Sequence, residues 1–153
     1  MGGHTFNPTL LRKYDIRGVV GDALSAEDAV ALGRTYGSII IESGGKFVCL
    51  GRDGRLSSPE IMMALASGFM STGTNVVDIG LSATPMLYYA SRMLDAPGAI
   101  MITGSHNPPN YNGFKLVLAN KPFWADQIQQ LGKRSTLGDW VEGQGEKIEL
   151  NIL

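Results

Sequence analysis

The chain has 153 residues, 44% of them apolar and 18% charged, with a formal net charge of −1. That length fits one domain with a sizeable core, and the near-neutral balance gives no footprint for nucleic acid or an anionic membrane. A single cysteine, Cys49, excludes an internal disulfide, suits a reducing compartment and, lying in an apolar run, predicts an inert buried thiol.

Ser25 reads as a helix N-cap, with Asp28 three residues on as a variant capping box. Ala29, Leu32, Gly33, Tyr36 and Ile40 then recur on one helical face, and Gly44-Gly45 ends the helix. Phe47 to Leu50 reads as a buried strand. Ser58-Pro59-Glu60 starts a second helix with proline at its first position; Ile61, Leu65 and Phe69 form its inner stripe and Gly73 closes it. Val76 to Ile79 is a further strand, and Thr84-Pro85 opens a third helix carried by Leu87, Ala90 and Leu94. Ala99 to Ile102 is a buried strand, and Phe114 to Leu118 alternates as a strand with two different faces. The β-α-β-α-β order predicts a three-layer α/β/α sandwich. The loop before the last strand is too short for a crossover, so a reversal and a mixed, mostly parallel sheet with an antiparallel edge are expected. Beyond Lys133 the chain is rich in glycine with little apolar periodicity, and residues 136–153 read as an exit from a domain spanning 1–135. The apolar end Leu150-Asn151-Ile152-Leu153 suggests truncation, or else a short edge strand.

No apolar run reaches bilayer length, and the start Met1-Gly2-Gly3-His4 lacks a leader or acylation pattern, so the cytoplasm is the expected location. The two histidines, His4 and His106, belong to no cluster with ligand spacing, so a metal held by this chain alone is not expected.

In a parallel sheet the C-terminal strand ends share one edge, where ligands bind. Three loops leave the buried strands there: Gly51 to Ser57, Gly80 to Thr84, and the run Thr103-Gly104-Ser105-His106-Asn107-Pro108-Pro109-Asn110-Tyr111-Asn112-Gly113. The last is stiffened by two prolines, and its Asn and Gly residues are expected to supply left-handed backbone. The reversal brings Lys115 back to the same end, so Ser105, Lys115, Arg52 and Arg55 are expected on one rim. A serine among cations suits a phosphoryl group. Each feature has a plainer reading. The loop is also an ordinary Asn/Pro/Gly turn, and Arg52, Asp53 and Arg55 are also an ion-pair network bracing their own loop. Lys115 is also a solvated strand residue and His106 a loop histidine bonded to backbone. A hydrolase elbow fails, because Thr103 and Asn107 stand where glycines belong. No Walker or dinucleotide loop appears.

Lys13-Tyr14-Asp15-Ile16-Arg17-Gly18, Gly51-Arg52-Asp53-Gly54-Arg55-Leu56-Ser57-Ser58-Pro59 and Thr103-Gly104-Ser105-His106-Asn107-Pro108 follow one another here as in the α-D-phosphohexomutases. From about Asn7 onward the chain resembles that family, in its phosphomannomutase/phosphoglucomutase branch. The resemblance implies a cytoplasmic isomerase of carbohydrate metabolism that interconverts hexose 1-phosphate and hexose 6-phosphate. Ser105 would be the phosphoserine carrier, with a hexose 1,6-bisphosphate as intermediate and activator. It implies Lys115 and Arg17 beside the phosphoserine for proton transfer and charge stabilisation, His106 and Asn107 shaping the loop, and Tyr14 lining the cleft. With Arg52 and Arg55, Tyr14 and Asn107 make up the expected phosphate-binding set. It also implies three further domains that this chain lacks. The second would supply an aspartate loop that binds Mg²⁺ together with the Ser105 phosphate. The chain is therefore expected to be the first domain of a mutase, nearly inactive alone and prone to self-associate through the face a neighbour would cover. Two other readings remain: a standalone, non-catalytic domain that binds a phosphosugar or a partner protein through the same rim, and a small serine-based phosphatase or esterase with His106 as its base.

Overall fold

The structure is a computed structural model that describes residues 3–12, 15–105, 107–118, 121–122 and 125–150. A short 3-10 turn, Pro8–Leu10, precedes β1 (Asp15–Val19), α1 (Ala26–Glu42), β2 (Phe47–Arg52), α2 (Ser58–Met70), β3 (Asn75–Leu81) and α3 (Thr84–Met93). Then come β4 (Gly98–Ile102), β5 (Tyr111–Leu118), β6 (Lys121–Pro122), α4 (Ala125–Leu137) and β7 (Lys147–Glu149).

The strands form one sheet in the order β1-β5-β4-β2-β3-β7, with β6 on β5. β2 runs parallel to β3 and β4, and β3 to β7, whereas β5 is antiparallel to β4, β1 and β6. The expected reversal is present, but β5 is not the edge. β1, from the segment before α1, closes the sheet outside it.

The helices divide unequally between the two faces. α1 and α2 pack closely on each other, and α2 lies on β2, β3 and β4; α3 alone packs on the other face, over β2 and β4. Strand alternation follows this division. Val48, Leu50, Ile100, Ile102, Phe114, Leu116 and Ile16 join the larger core under α1 and α2. Cys49, Ile79, Ala99 and Met101 join Leu87 and Ala90 of α3 in the smaller one. Burial pushes the Cys49 thiol up to about 11, as befits an inert residue. The approach of α1 to α2 depends on Gly33 and Gly68, where an added Cβ would run into the partner helix's backbone.

The capping box at the start of α1 forms as the spacing requires, with Asp28 accepting from the Ser25 N–H and Ser25 Oγ from the Asp28 N–H. α2 and α3 carry proline in their first turn. Leu94, expected on the inner stripe of α3, instead caps its end and is 40% exposed.

α4 was not anticipated. Its apolar pattern is sparse, yet Ile128 and Leu131 are buried in the larger core. The helix runs through the division expected at 135/136. The segment after it is tied down as well. Trp140 Nε1 donates to Thr35 Oγ1 at 2.9 Å, the Val141 N–H to Ser38 Oγ at 2.9 Å, and the Gly143 N–H to the Ser71 carbonyl at 2.9 Å.

Candidate active site

The β4–β5 connection carries Ser105. The Ser105 backbone sits at φ 57°, one of two non-glycine residues with positive φ among those described. The left-handed position was expected on an Asn or Gly of this loop, and it falls on the serine itself. That conformation costs an L-residue about 1–2 kcal/mol, so something must hold it. The Ser105 N–H donates to Thr103 Oγ1 at 2.9 Å, and the Ser105 carbonyl accepts from Arg55 Nη2 at 2.9 Å. A bond to a charged donor contributes about 1.5–3 kcal/mol, enough to offset the strain.

Arg55 is committed to this loop. Its Nε donates to Asp53 Oδ2 at 3.0 Å, Nη1 to the carbonyls of Pro108 at 2.7 Å and Tyr111 at 3.3 Å, and Nη2 to those of Ser105 and Asn107 at 2.9 and 3.0 Å. Of these, only the Arg55–Asp53 contact lies within the loop that the ion-pair network was expected to brace; the other four reach across to the serine loop. Asp53 is the second anchor: Oδ1 accepts from Ser58 Oγ and the Arg55 N–H, and Oδ2 from the Gly104 N–H. Burial raises its pKa, but the bonds from Ser58, the Arg55 backbone, Thr103 and the Gly104 backbone outweigh this. They hold the carboxyl below the usual carboxylate range.

Arg17, Lys115 and Asp15 lie on the α3-side face. Asp15 is in register with Lys115, which is in register with Met101; Arg17 faces Gly113 across the β1–β5 pair. Arg17 Nη1 donates to Asn107 Oδ1 at 2.6 Å, and Arg17 Nε lies 3.3 Å from Asp15 Oδ2. β1 thereby reaches the serine loop directly. Gly113 makes this possible, since a Cβ there would collide with the Ile16 carbonyl and with Arg17. Arg52 ends β2 at the same sheet edge, in register with Ile102, so alternation turns it to the opposite face from Lys115. Neither the Arg52 nor the Lys115 side chain makes a hydrogen bond or ion pair among the described residues. Tyr14 and His106 lie outside the described residues.

Three supporting residues were not singled out from the sequence. Thr103 has a legible signal, the Thr-x-Ser spacing of a hydroxyl turn. Asp15 has the sign and spacing for an ion pair with Arg17. Asn112 has none: it is fully buried, and its amide donates to Ser57 Oγ at 2.9 Å and Ser58 Oγ at 3.0 Å. It fastens the start of β5 to the start of α2 through contacts more than fifty residues apart in the chain.

A profile described as "Phosphoglucomutase/phosphomannomutase, alpha/beta/alpha domain I" matches residues 8–139. The chain belongs to this family. It is 46% identical over 149 residues to a phosphomannomutase/phosphoglucomutase of Pseudomonas aeruginosa, covering 97% of this chain and 32% of that protein. A phosphoglucomutase of Neisseria meningitidis serogroup B is 45% identical over 122 residues, 80% of this chain and 26% of its own length. A crystal structure of a phosphoglucomutase/phosphomannomutase family protein from Burkholderia thailandensis superposes with a TM-score of 0.91 at 40% identity, covering 97% of this chain and 34% of that one. This family domain thus spans about a third of the length of the relatives it matches.

Proposed function

We propose that this chain is the serine-carrying first domain of a phosphohexose mutase, interconverting hexose 1-phosphate and hexose 6-phosphate. The observation that carries the reading is Ser105, held at positive φ on the loop after β4, whose Asn107 accepts from Arg17. A phosphoryl group on Oγ needs an exposed, fixed oxygen and nearby cations. In the forward step the P–Oγ bond breaks, a bond from phosphorus to the sugar hydroxyl oxygen forms, and the hydroxyl's proton leaves while Oγ regains one. Lys115 and Arg17 serve this proton traffic and the charge on the equatorial oxygens. The bisphosphorylated sugar then reorients and returns its other phosphate to Ser105. Asn107, bonded to Arg17, shapes the loop with His106. Arg52 and Tyr14 belong to the proposed phosphate-binding rim.

Mg²⁺ finds no cage here. A hard cation takes six or more oxygens, and no group of three or more acidic, imidazole or thiol donors gathers among the described residues. The phosphate on Ser105 would be this chain's one contribution, with the remaining ligands coming from a second domain. Residues 1–135 are proposed as the catalytic serine domain. Residues 136–153 are proposed as the segment leading toward that second domain, after crossing back over α1 and α2. The cytoplasm is the proposed location. No helix among the described residues is long and apolar enough to cross a membrane.

Ser105→Ala in the full-length protein tests the carrier role. Turnover of glucose 1-phosphate in a coupled assay is expected to vanish while the circular dichroism spectrum is retained. Turnover at the wild-type rate would remove Ser105 from the mechanism.

A further inference from the structure

The geometry points to Arg55 as the positioning residue of the Ser105 loop, a clamp whose N–H groups hold the loop backbone and leave none to bind phosphate. The kinetic consequence rests on the phosphoserine reading; the clamp itself does not. A guanidinium has five N–H donors in a rigid planar fork. Here one meets Asp53 and the others meet the carbonyls of Ser105, Asn107, Pro108 and Tyr111, so every donor has an acceptor within the protein. Those four carbonyls run from Ser105 to the first residue of β5, and one group therefore fixes the path of the chain between them. Two further features are built around the guanidinium. Gly104 packs against it where any side chain would overlap it. Asp53, which holds Arg55 Nε, also takes the Gly104 N–H, while Thr103 Oγ1 holds the Ser105 N–H. The residue before Ser105 and the Ser105 carbonyl are thus set by one Asp53–Arg55 pair. In-line transfer is sensitive to such placement: a displacement of about 1 Å can cost about 100-fold in rate.

The test compares Arg55→Ala and Arg55→Lys with wild type in the full-length protein, by steady-state kinetics on glucose 1-phosphate and by hydrogen exchange of the 103–113 segment. Both variants are expected to exchange faster in that segment and to lose about 100-fold in kcat, with KM within about twofold. Added guanidinium ion should restore part of the rate and the protection to Arg55→Ala. Lysine keeps the charge but not the fork, so its failure to rescue separates a clamp from a phosphate ligand. Wild-type kcat in Arg55→Lys, or a raised KM with unchanged kcat, would overturn the inference. If the wild-type protein itself turns over no phosphohexose, the mutase reading fails, and exchange alone decides the clamp: faster in both variants supports it, unchanged refutes it. Should Arg55→Ala not fold, Gly104→Ala displaces the guanidinium without deleting it and must show the same loop exchange.

Discussion

Asp53 illustrates how a loop residue is tuned for its task. Four protein donors around its two oxygens keep the carboxyl ionised below the unfolded value of about 3.9. A carboxyl whose folded pKa is depressed contributes stability above its unfolded pKa and loses it as pH falls through the folded value. The stability gap between wild type and Asp53→Asn, measured by urea unfolding, should be wide near pH 6 and narrow below pH 3. A gap independent of pH would mean that Asp53 acts through shape alone. The pairing of Asp53 with Arg55 was legible as a charge pattern. That the pair is directed at the backbone of a loop fifty residues later was not, because the acceptors are carbonyls, which carry no residue-type signature.

The elements show where local rules suffice. α1 starts where Ser25 and Asp28 dictate, and Asp28 does more than cap: its Oδ1 lies 2.7 Å from His4 Nε2, tying the N-terminal segment to the helix. Ser25→Ala is expected to cost about 0.5–1 kcal/mol, because the Oγ bond is long at 3.4 Å. Asp28→Ala should cost about 2 kcal/mol, as it frees the Ser25 N–H and His4 at a site only 5% exposed. Equal losses in urea unfolding would contradict this ranking. α4 marks the opposite case. Among its residues with described burial, Ile128 and Leu131 are the buried hydrophobics, a sparse signal in the sequence, and polar ties such as Arg134 to Glu42 at 2.7 Å complete its docking. Its few apolar residues share one face, and tertiary contacts complete what so narrow a stripe begins.

At the scale of the molecule, the two sheet faces are unequally covered. Three helices serve one face, and α3 alone packs on the other, where Tyr89 and Met93, one turn apart, are 61% and 67% exposed. Leu81 at the end of β3 is 64% exposed. Such apolar surface favours association. The isolated chain is expected to show rising weight-average mass with concentration in sedimentation equilibrium, reduced by Tyr89→Glu with Met93→Lys. A strict monomer at millimolar concentration would exclude this.

By itself the sequence determined the order of elements from α1 to β5, the strand reversal and the family, because each is written in short-range signals: turn residues, caps, periodicity and three contiguous motifs. Tertiary structure alone decided that β1 lies outside β5, that Arg17 therefore reaches Asn107, that the strain falls on Ser105, and that Arg55 spends its donors on backbone. The physical reason is common to all four. They depend on pairings between segments far apart in the chain, made through backbone groups that every residue possesses and no residue type announces.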